Sequence, residues 1–122
     1  MRVTSDFFVS ALVRRVFSSG GFAAIERKGA MEAGAIFIRQ RFRDGLETLY
    51  APAPQAYFGE GKPSGRQFEI RIEKAEAGAI DEVLAREARF DSDLWVVELE
   101  AEAVSDLVDV AVEGGAEPDL KI

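Results

Sequence analysis

The stretch "REARFDSDLWVVELE", residues 86–100, decides the fold because one kind of secondary structure changes into another within it. Its first residues continue an apolar stripe at helical spacing, with arginines in the last turns, where cations complement the helix dipole. Asp91-Ser92-Asp93 then has the composition of a turn. Trp95 is the only tryptophan of the chain, and it shares one face of an extended segment with Val97 and Leu99. The stretch therefore predicts a helix, a turn and a core strand.

The same signals divide the rest of the chain. Ser5, with Asp6 in the first turn, favours a helix start, and Gly20-Gly21 favours its end. Asp44-Gly45 is a hairpin signal, and apolar and charged residues alternate from Phe68 to Glu73. The predicted helices are 5–18 and 79–90, and the predicted strands are 22–28, 33–43, 46–50, 68–73 and 94–99.

These elements predict an α+β fold with an antiparallel sheet of about five strands, an N-terminal helix and a helix before the last strand. The first four strands form a meander, and the helices pack on one sheet face. Apolar residues from Val104 to Val112 fit a third, C-terminal amphipathic helix better than a strand. Trp95 is expected in the core, packed with the inward side chains Phe68, Ile70, Ile72 and Leu84.

The length and charge of the chain argue against some classes of protein. The 122 residues fit a single domain, 1–122, and no apolar run is long enough for a membrane span, so we expect a cytoplasmic protein. Residues 1–66 hold 10 basic and 6 acidic side chains, a balance of +4; residues 67–122 hold 5 and 16, a balance of −11. The acidic surplus argues against general nucleic-acid binding, and the complementary halves favour a homodimer.

Histidine and cysteine are absent from the whole sequence. Nucleophilic triads, thiolate chemistry and the usual zinc ligand sets are therefore excluded. We expect no cofactor, and enzymatic activity would depend entirely on carboxylates, lysines or tyrosines with shifted pKa values. The sequence thus favours a non-catalytic protein.

Four segments resemble a known family: "TSDFFVSALVRRV", "GFAAIERKGAMEAGAIFIRQ", "LYAPAPQ" and, most specifically, "LAREARFDSDLWVVELE". Over residues 2–100 the chain resembles a family of small alphaproteobacterial proteins described as a domain of unknown function. The resemblance implies a compact bacterial cytoplasmic protein and supplies no site residues. Residues 101–122 depart from the family pattern and are interpreted as a C-terminal extension.

Two groups of residues are candidate ligand sites. Arg39, Arg41 and Arg43 alternate along one strand and would share a face, where they could bind a phosphate, a carboxylate or an acidic partner. The competing interpretation is a solvated face on which Glu47 and Glu69 pair with these arginines across neighbouring strands. The second group surrounds a long loop after Ala51, which either closes over a ligand or tucks its aromatic side chains onto the core. Its candidate residues are Tyr50, Tyr57, Lys62 and Arg66.

Two functions remain open at this point. In the first, the protein is a non-catalytic binding or adaptor module that recognises an anionic small molecule or an acidic protein. In the second, it is a small hydrolase that uses Glu87, Asp91 or Asp93 as a base or as ligands of a divalent metal. The absence of histidine and cysteine favours the first.

Overall fold

The computed structural model describes residues 3–54 and 66–111. Within these ranges the chain forms two α-helices, a short 3-10 turn and one six-stranded sheet. The helices are α1 (Ser5–Ser18) and α2 (Ala77–Phe90), and the 3-10 turn is Val104–Asp106. The strands are β1 (Phe22–Arg27), β2 (Ile36–Arg41), β3 (Glu47–Pro52), β4 (Gln67–Ala75), β5 (Trp95–Glu100) and β6 (Asp109–Val110). The predicted α+β class is confirmed.

The sheet is mixed, with strand order β1-β5-β2-β3-β4-β6. Strands β2, β3 and β4 form an antiparallel meander, and Gly45 takes φ 91° in the β2–β3 turn. The predicted four-strand antiparallel meander is wrong at its start, because β5 lies between β1 and β2. It runs antiparallel to β1 and parallel to β2. Turn residues indicate only pairings between strands that are neighbours in sequence. The position of β5 between β1 and β2 therefore could not be predicted from them.

The two helices lie on opposite faces of the sheet, which corrects the expectation that they share one. Side chains of α1 pack in one core cluster with Ile36 and Ile38 of β2, whereas Ile80 and Leu84 of α2 pack in a second cluster with Phe37. Successive strand residues point to opposite faces, so these clusters mark an α1 face and an α2 face. No helix in the described ranges is long and apolar enough to cross a membrane.

The predicted C-terminal helix is wrong over the residues that the structure describes. The 3-10 turn is followed by β6, which pairs in parallel with β4 and places Val110 opposite Phe68. Val104, Leu107 and Val108 are buried in the α1-face core. One tight turn satisfies their spacing as well as a helix would, and β-branched residues such as Val110 favour the extended continuation.

Trp95 is a core residue, as predicted, with 1% of its surface exposed. It lies on the α1 face in the same cluster as Phe68, and its indole Nε1 donates to the carbonyl of Ala30 at 2.8 Å. The other expected neighbours are elsewhere. Leu84 is on the α2 face and Ile70 is half exposed. A register shift in β4 turns Ile72 towards the α2-face cluster, since a bulge reverses the alternation of side chains.

Candidate functional site

Arg39 lies at the centre of an ion network on the α2 face. Its side chain is almost fully buried, and three acids from three elements surround the guanidinium. Nε donates to Glu47 of β3 at 2.7 Å, one terminal nitrogen contacts Glu26 of β1 at 3.0 Å, and the other contacts Asp81 of α2 at 2.9 Å. The network therefore joins β1, β2, β3 and α2.

Backbone geometry and electrostatics both hold this network together. The register of β1 against β5 shifts between Ile25 and Arg27, and this irregularity contains Glu26, the residue that reaches Arg39. Burial lowers the pKa of Arg39, but hydrogen bonds to Glu47 and Asp81 and the charges of Glu26 and Glu47 raise it more. The pKa of Arg39 ends above its ordinary value, so the guanidinium stays charged.

Arg41 extends the network towards the sheet end. Its Nε lies 3.2 Å from Glu47 and a terminal nitrogen lies 2.9 Å from Glu98 of β5, with 39% of the side chain exposed. Glu47 thus bridges Arg39 and Arg41, as one of the two sequence interpretations expected. The other expected acid, Glu69, is not among the acids that pair with these arginines in the described ranges. The face is covered by α2 rather than solvated.

Arg43 differs from the other two arginines, because β2 ends at Arg41 and Arg43 belongs to the β2–β3 turn. It is exposed, and no described residue pairs with its guanidinium. Arg41 and Arg43 line an open groove of about 1270 Å³ between the end of α1, this turn and the segment after β5. The predicted Arg39, Arg41, Arg43 face is therefore split between a buried network and a groove.

Both basic and acidic side chains line the groove. Arg15, Arg41 and Arg43 line it together with Glu100, Glu102 and Asp106, and its aromatic lining residues are Phe22 and Phe42. The guanidinium of Arg15 also donates to the carbonyl of Leu107, which fastens the segment after β5 to α1. Such a surface suits an extended chain segment with both apolar and charged groups better than a simple anion.

The candidate residues around the long loop do not join the arginines. Tyr50 is buried on the α1 face and donates to Gln40 Oε1 at 3.0 Å. Arg66 donates to the carbonyl of Val3 and to Ser5 Oγ, and its guanidinium lies over the Phe8 ring. Tyr57 and Lys62 lie outside the described residues. The described candidates thus occupy separate places on the sheet.

The Asp91-Ser92-Asp93 turn has a structural role. Asp91 Oδ1 accepts from the Asp93 amide at 3.0 Å, and the Asp93 carbonyl accepts from Ala30 at 2.9 Å. A Cβ at Gly29 or Gly34 would lie within 2.3 Å of that carbonyl, so glycine is required where the β1–β2 loop meets the turn. In the described ranges no group of three or more acids is placed to hold a metal ion.

Sequence reasoning missed Glu26, Asp81 and Glu98 as partners of the arginines. Asp81 and Glu98 reach them only because α2 covers this face and β5 lies beside β2, and both facts are long-range. Glu26 reaches them from the irregular part of β1. No local sequence pattern indicates that these three acids pair with the arginines. Arg15 and Phe42 were missed as groove residues for the same reason, since the groove joins segments that are distant in sequence.

Comparisons with known proteins agree with this architecture. The solution structure of protein Atu0922 from A. tumefaciens is 52% identical and has a TM-score of 0.81, covering 95% of this chain and 100% of that one. The crystal structure of a DUF1491 family protein from Caulobacter crescentus CB15 is 29% identical, with a TM-score of 0.74 and coverage of 92% and 100%. No curated protein matches.

A family model described as "Protein of unknown function (DUF1491)" matches residues 3–109. The match confirms the family resemblance and continues beyond Glu100 through the 3-10 turn to the start of β6, where the sequence had indicated a departure from the family. The chain belongs to the DUF1491 family.

Proposed function

We propose that the protein is a small, non-catalytic binding module that holds a polypeptide segment in the groove and pairs an acidic side chain of that segment with Arg43. The observation that carries this proposal is the difference between the arginines. Arg39 directs donors from all three guanidinium nitrogens to acids, whereas Arg43 is exposed in the groove without a described partner. A guanidinium binds a carboxylate through two parallel hydrogen bonds, which gives affinity and orientation together.

The partner is an acidic segment of a protein, and a cytoplasmic location belongs to the same proposal. The Phe22 and Phe42 rings supply the apolar contact that an interface core needs, and the exposed charges supply its rim. The alternative hydrolase gains no support. Glu87 is paired with Arg71 at 2.6 Å, and Asp91 and Asp93 are not among the residues that line the groove.

A capture experiment tests the groove. Arg43→Glu reverses the charge that the partner requires, and Arg14→Glu makes the same change on an exposed α1 residue outside the groove. Wild-type protein and Arg14→Glu should capture the same partner from an alphaproteobacterial lysate. Arg43→Glu should lose it, while all three proteins melt within a few degrees of one another.

The captured partner is then identified by mass spectrometry and its affinity is measured with purified proteins. A mixed-charge groove can bind adventitiously, so capture alone is insufficient. The groove proposal requires that Arg43→Glu weaken the purified interaction by about tenfold or more, the loss expected for one charge-assisted pair. Equal affinity for Arg43→Glu and Arg14→Glu would refute it.

We infer that the protein is also a homodimer, for a reason other than the complementary charge of the two halves of the sequence. Edge strand β1 carries the exposed Ile25, and Phe17 of α1 is exposed as well; neither side chain lines the groove. Exposed apolar side chains beside an open strand edge favour pairing with a second copy. Sedimentation should show a dimer that Ile25→Lys dissociates and Met31→Lys, at another exposed site, does not. A 13.4 kDa species for the wild type would contradict the inference.

A further inference from the structure

A second recess lies beside the groove on the α1 face of the sheet, and the two share Phe42, Glu102 and Ala103 in their walls. It is a cavity of about 350 Å³ between β2, β3 and β4 on one side and the segment from Glu102 to Val110 on the other. This volume is at the lower end of the range for small-molecule sites in proteins. Its apolar wall includes Ile70, Val104 and Val110. Ile70 is 46% exposed, so this wall is open to an incoming molecule.

The polar residues of the cavity are fixed in place. Gln40 is buried and donates both amide hydrogens, to the carbonyls of Ala101 at 2.8 Å and Glu102 at 3.1 Å. Its Oε1 accepts from the hydroxyl of Tyr50, so the Tyr50 oxygen keeps its lone pairs available as acceptors. Burial, and then the charge of Glu73, raise the pKa of Tyr50, which therefore stays neutral at physiological pH. The cavity thus offers an oriented hydrogen-bond acceptor.

Lys74 sits at the cavity in a strained conformation. Within the described ranges it is the one residue other than glycine with a positive φ, 51°, and its amide donates to Thr48 Oγ1 at 3.0 Å. Its ammonium lies 4.2 Å from the centroid of the Phe42 ring, and no described carboxylate pairs with it. Backbone strain of this kind persists where the surrounding structure enforces it, and it concentrates at binding sites.

Charges of both signs therefore line one small, partly apolar cavity, with Glu73 next to Lys74 in the sequence. We propose that the cavity binds a free α-amino acid with an apolar side chain. Lys74 pairs with the carboxylate, Glu73 and the Tyr50 oxygen accept from the ammonium, and the side chain packs on Ile70 and Val110. This goes beyond the groove proposal, because the site and the class of ligand are both different.

Three matched probes test the requirement for both charges. L-phenylalanine carries both groups, 3-phenylpropanoate carries only the carboxylate, and 2-phenylethylamine carries only the ammonium. Titration followed by NMR should show saturable shifts of the Lys74 and Ser105 amides with L-phenylalanine. Each singly charged probe should bind about tenfold more weakly or worse, since each loses one charge-assisted contact. No saturable shift with L-phenylalanine at millimolar concentration, or equal affinity for all three probes, would overturn the proposal.

Two variants locate the site. Lys74→Asn removes the ammonium while keeping a residue that tolerates positive φ, and Lys28→Asn makes the same change at an exposed residue outside the cavity. Lys74→Asn should weaken the binding of L-phenylalanine about tenfold, and Lys28→Asn should leave its affinity unchanged. Ala103→Leu, which adds bulk to the lining, should also weaken binding and serves if Lys74→Asn fails to fold. Unchanged affinity in the folded Lys74→Asn protein, or in Ala103→Leu, would place the ligand elsewhere.

Discussion

The two faces of the sheet are stabilised in different ways. On the α1 face the larger apolar cluster forms the core, and it includes Trp95. On the α2 face a smaller apolar cluster lies beside a network of charged residues centred on Arg39. All residues of β2 from Ile36 to Gln40 are buried, and they include the charged Arg39 and the polar Gln40. A charged residue at an alternating strand position therefore does not imply a solvated face.

The largest expected effect is on the apolar face. Trp95→Ala should lower the free energy of unfolding by about 3–5 kcal/mol, because it leaves a large cavity and removes the indole hydrogen bond to the Ala30 carbonyl. Denaturation followed by circular dichroism measures the loss. In the wild type, native tryptophan emission should be blue-shifted and should move to the red on unfolding. Native emission like that of tryptophan in water would contradict the buried position.

On the charged face, Glu47→Gln should cost about 2–3 kcal/mol, because it removes the carboxylate that Arg39 and Arg41 share in a buried place. Glu69→Gln is the matched control, since Glu69 pairs with neither arginine. Urea unfolding of the two variants measures the difference. Similar midpoints for both variants would mean that the network contributes little.

Tyr50→Phe should cost about 1 kcal/mol near neutral pH, the contribution of its hydrogen bond to Gln40. The pKa of Tyr50 is raised in the folded state, so its neutral form is favoured by folding. The stabilisation linked to this shift is complete below the unfolded pKa of about 10 and is lost as pH rises through the folded value. The free energy of unfolding should therefore fall less steeply above pH of about 10 in Tyr50→Phe than in the wild type. An equal slope would argue against the shift.

Within the ion network, the smallest expected effect is at its exposed edge. Asp81 contacts Arg39, but 64% of its side chain is exposed, so solvent screens the pair. Asp81→Asn should lower the free energy of unfolding by less than about 1 kcal/mol, and added salt should reduce the difference further. Thermal unfolding at low and high ionic strength measures both. A loss as large as that of Glu47→Gln would show that Asp81 is an equal member of the network.

Local elements of the fold could be predicted from the sequence because their signals are local. The bounds of α1 were predicted correctly, although its N-cap is Thr4, which accepts from the Phe7 amide, and not Ser5. Ser5 is buried and donates to the Gly34 carbonyl. The place of β5 in the sheet and the parallel pairing of β6 could not be predicted, since both depend on contacts between segments that are distant in the chain.

The candidate site was less predictable for the same physical reason. The spacing of Arg39, Arg41 and Arg43 correctly indicated side chains on one strand face for the first two. It carried no information about which acids α2 and β5 would bring to them, or about the strand ending before Arg43. Burial, which decides between an ion network and a binding surface, is a property of the assembled sheet.

The most direct test of this account compares Arg39 and Arg43 by the same substitution. Arg39→Gln leaves Glu47 buried without its main partner, whereas Arg43→Gln changes an exposed turn residue. Urea denaturation should show a loss of about 3 kcal/mol or more in the free energy of unfolding for Arg39→Gln. Arg43→Gln should change it by less than about 0.5 kcal/mol. Equal losses for the two variants would contradict the division of these arginines into a buried structural residue and one available for binding.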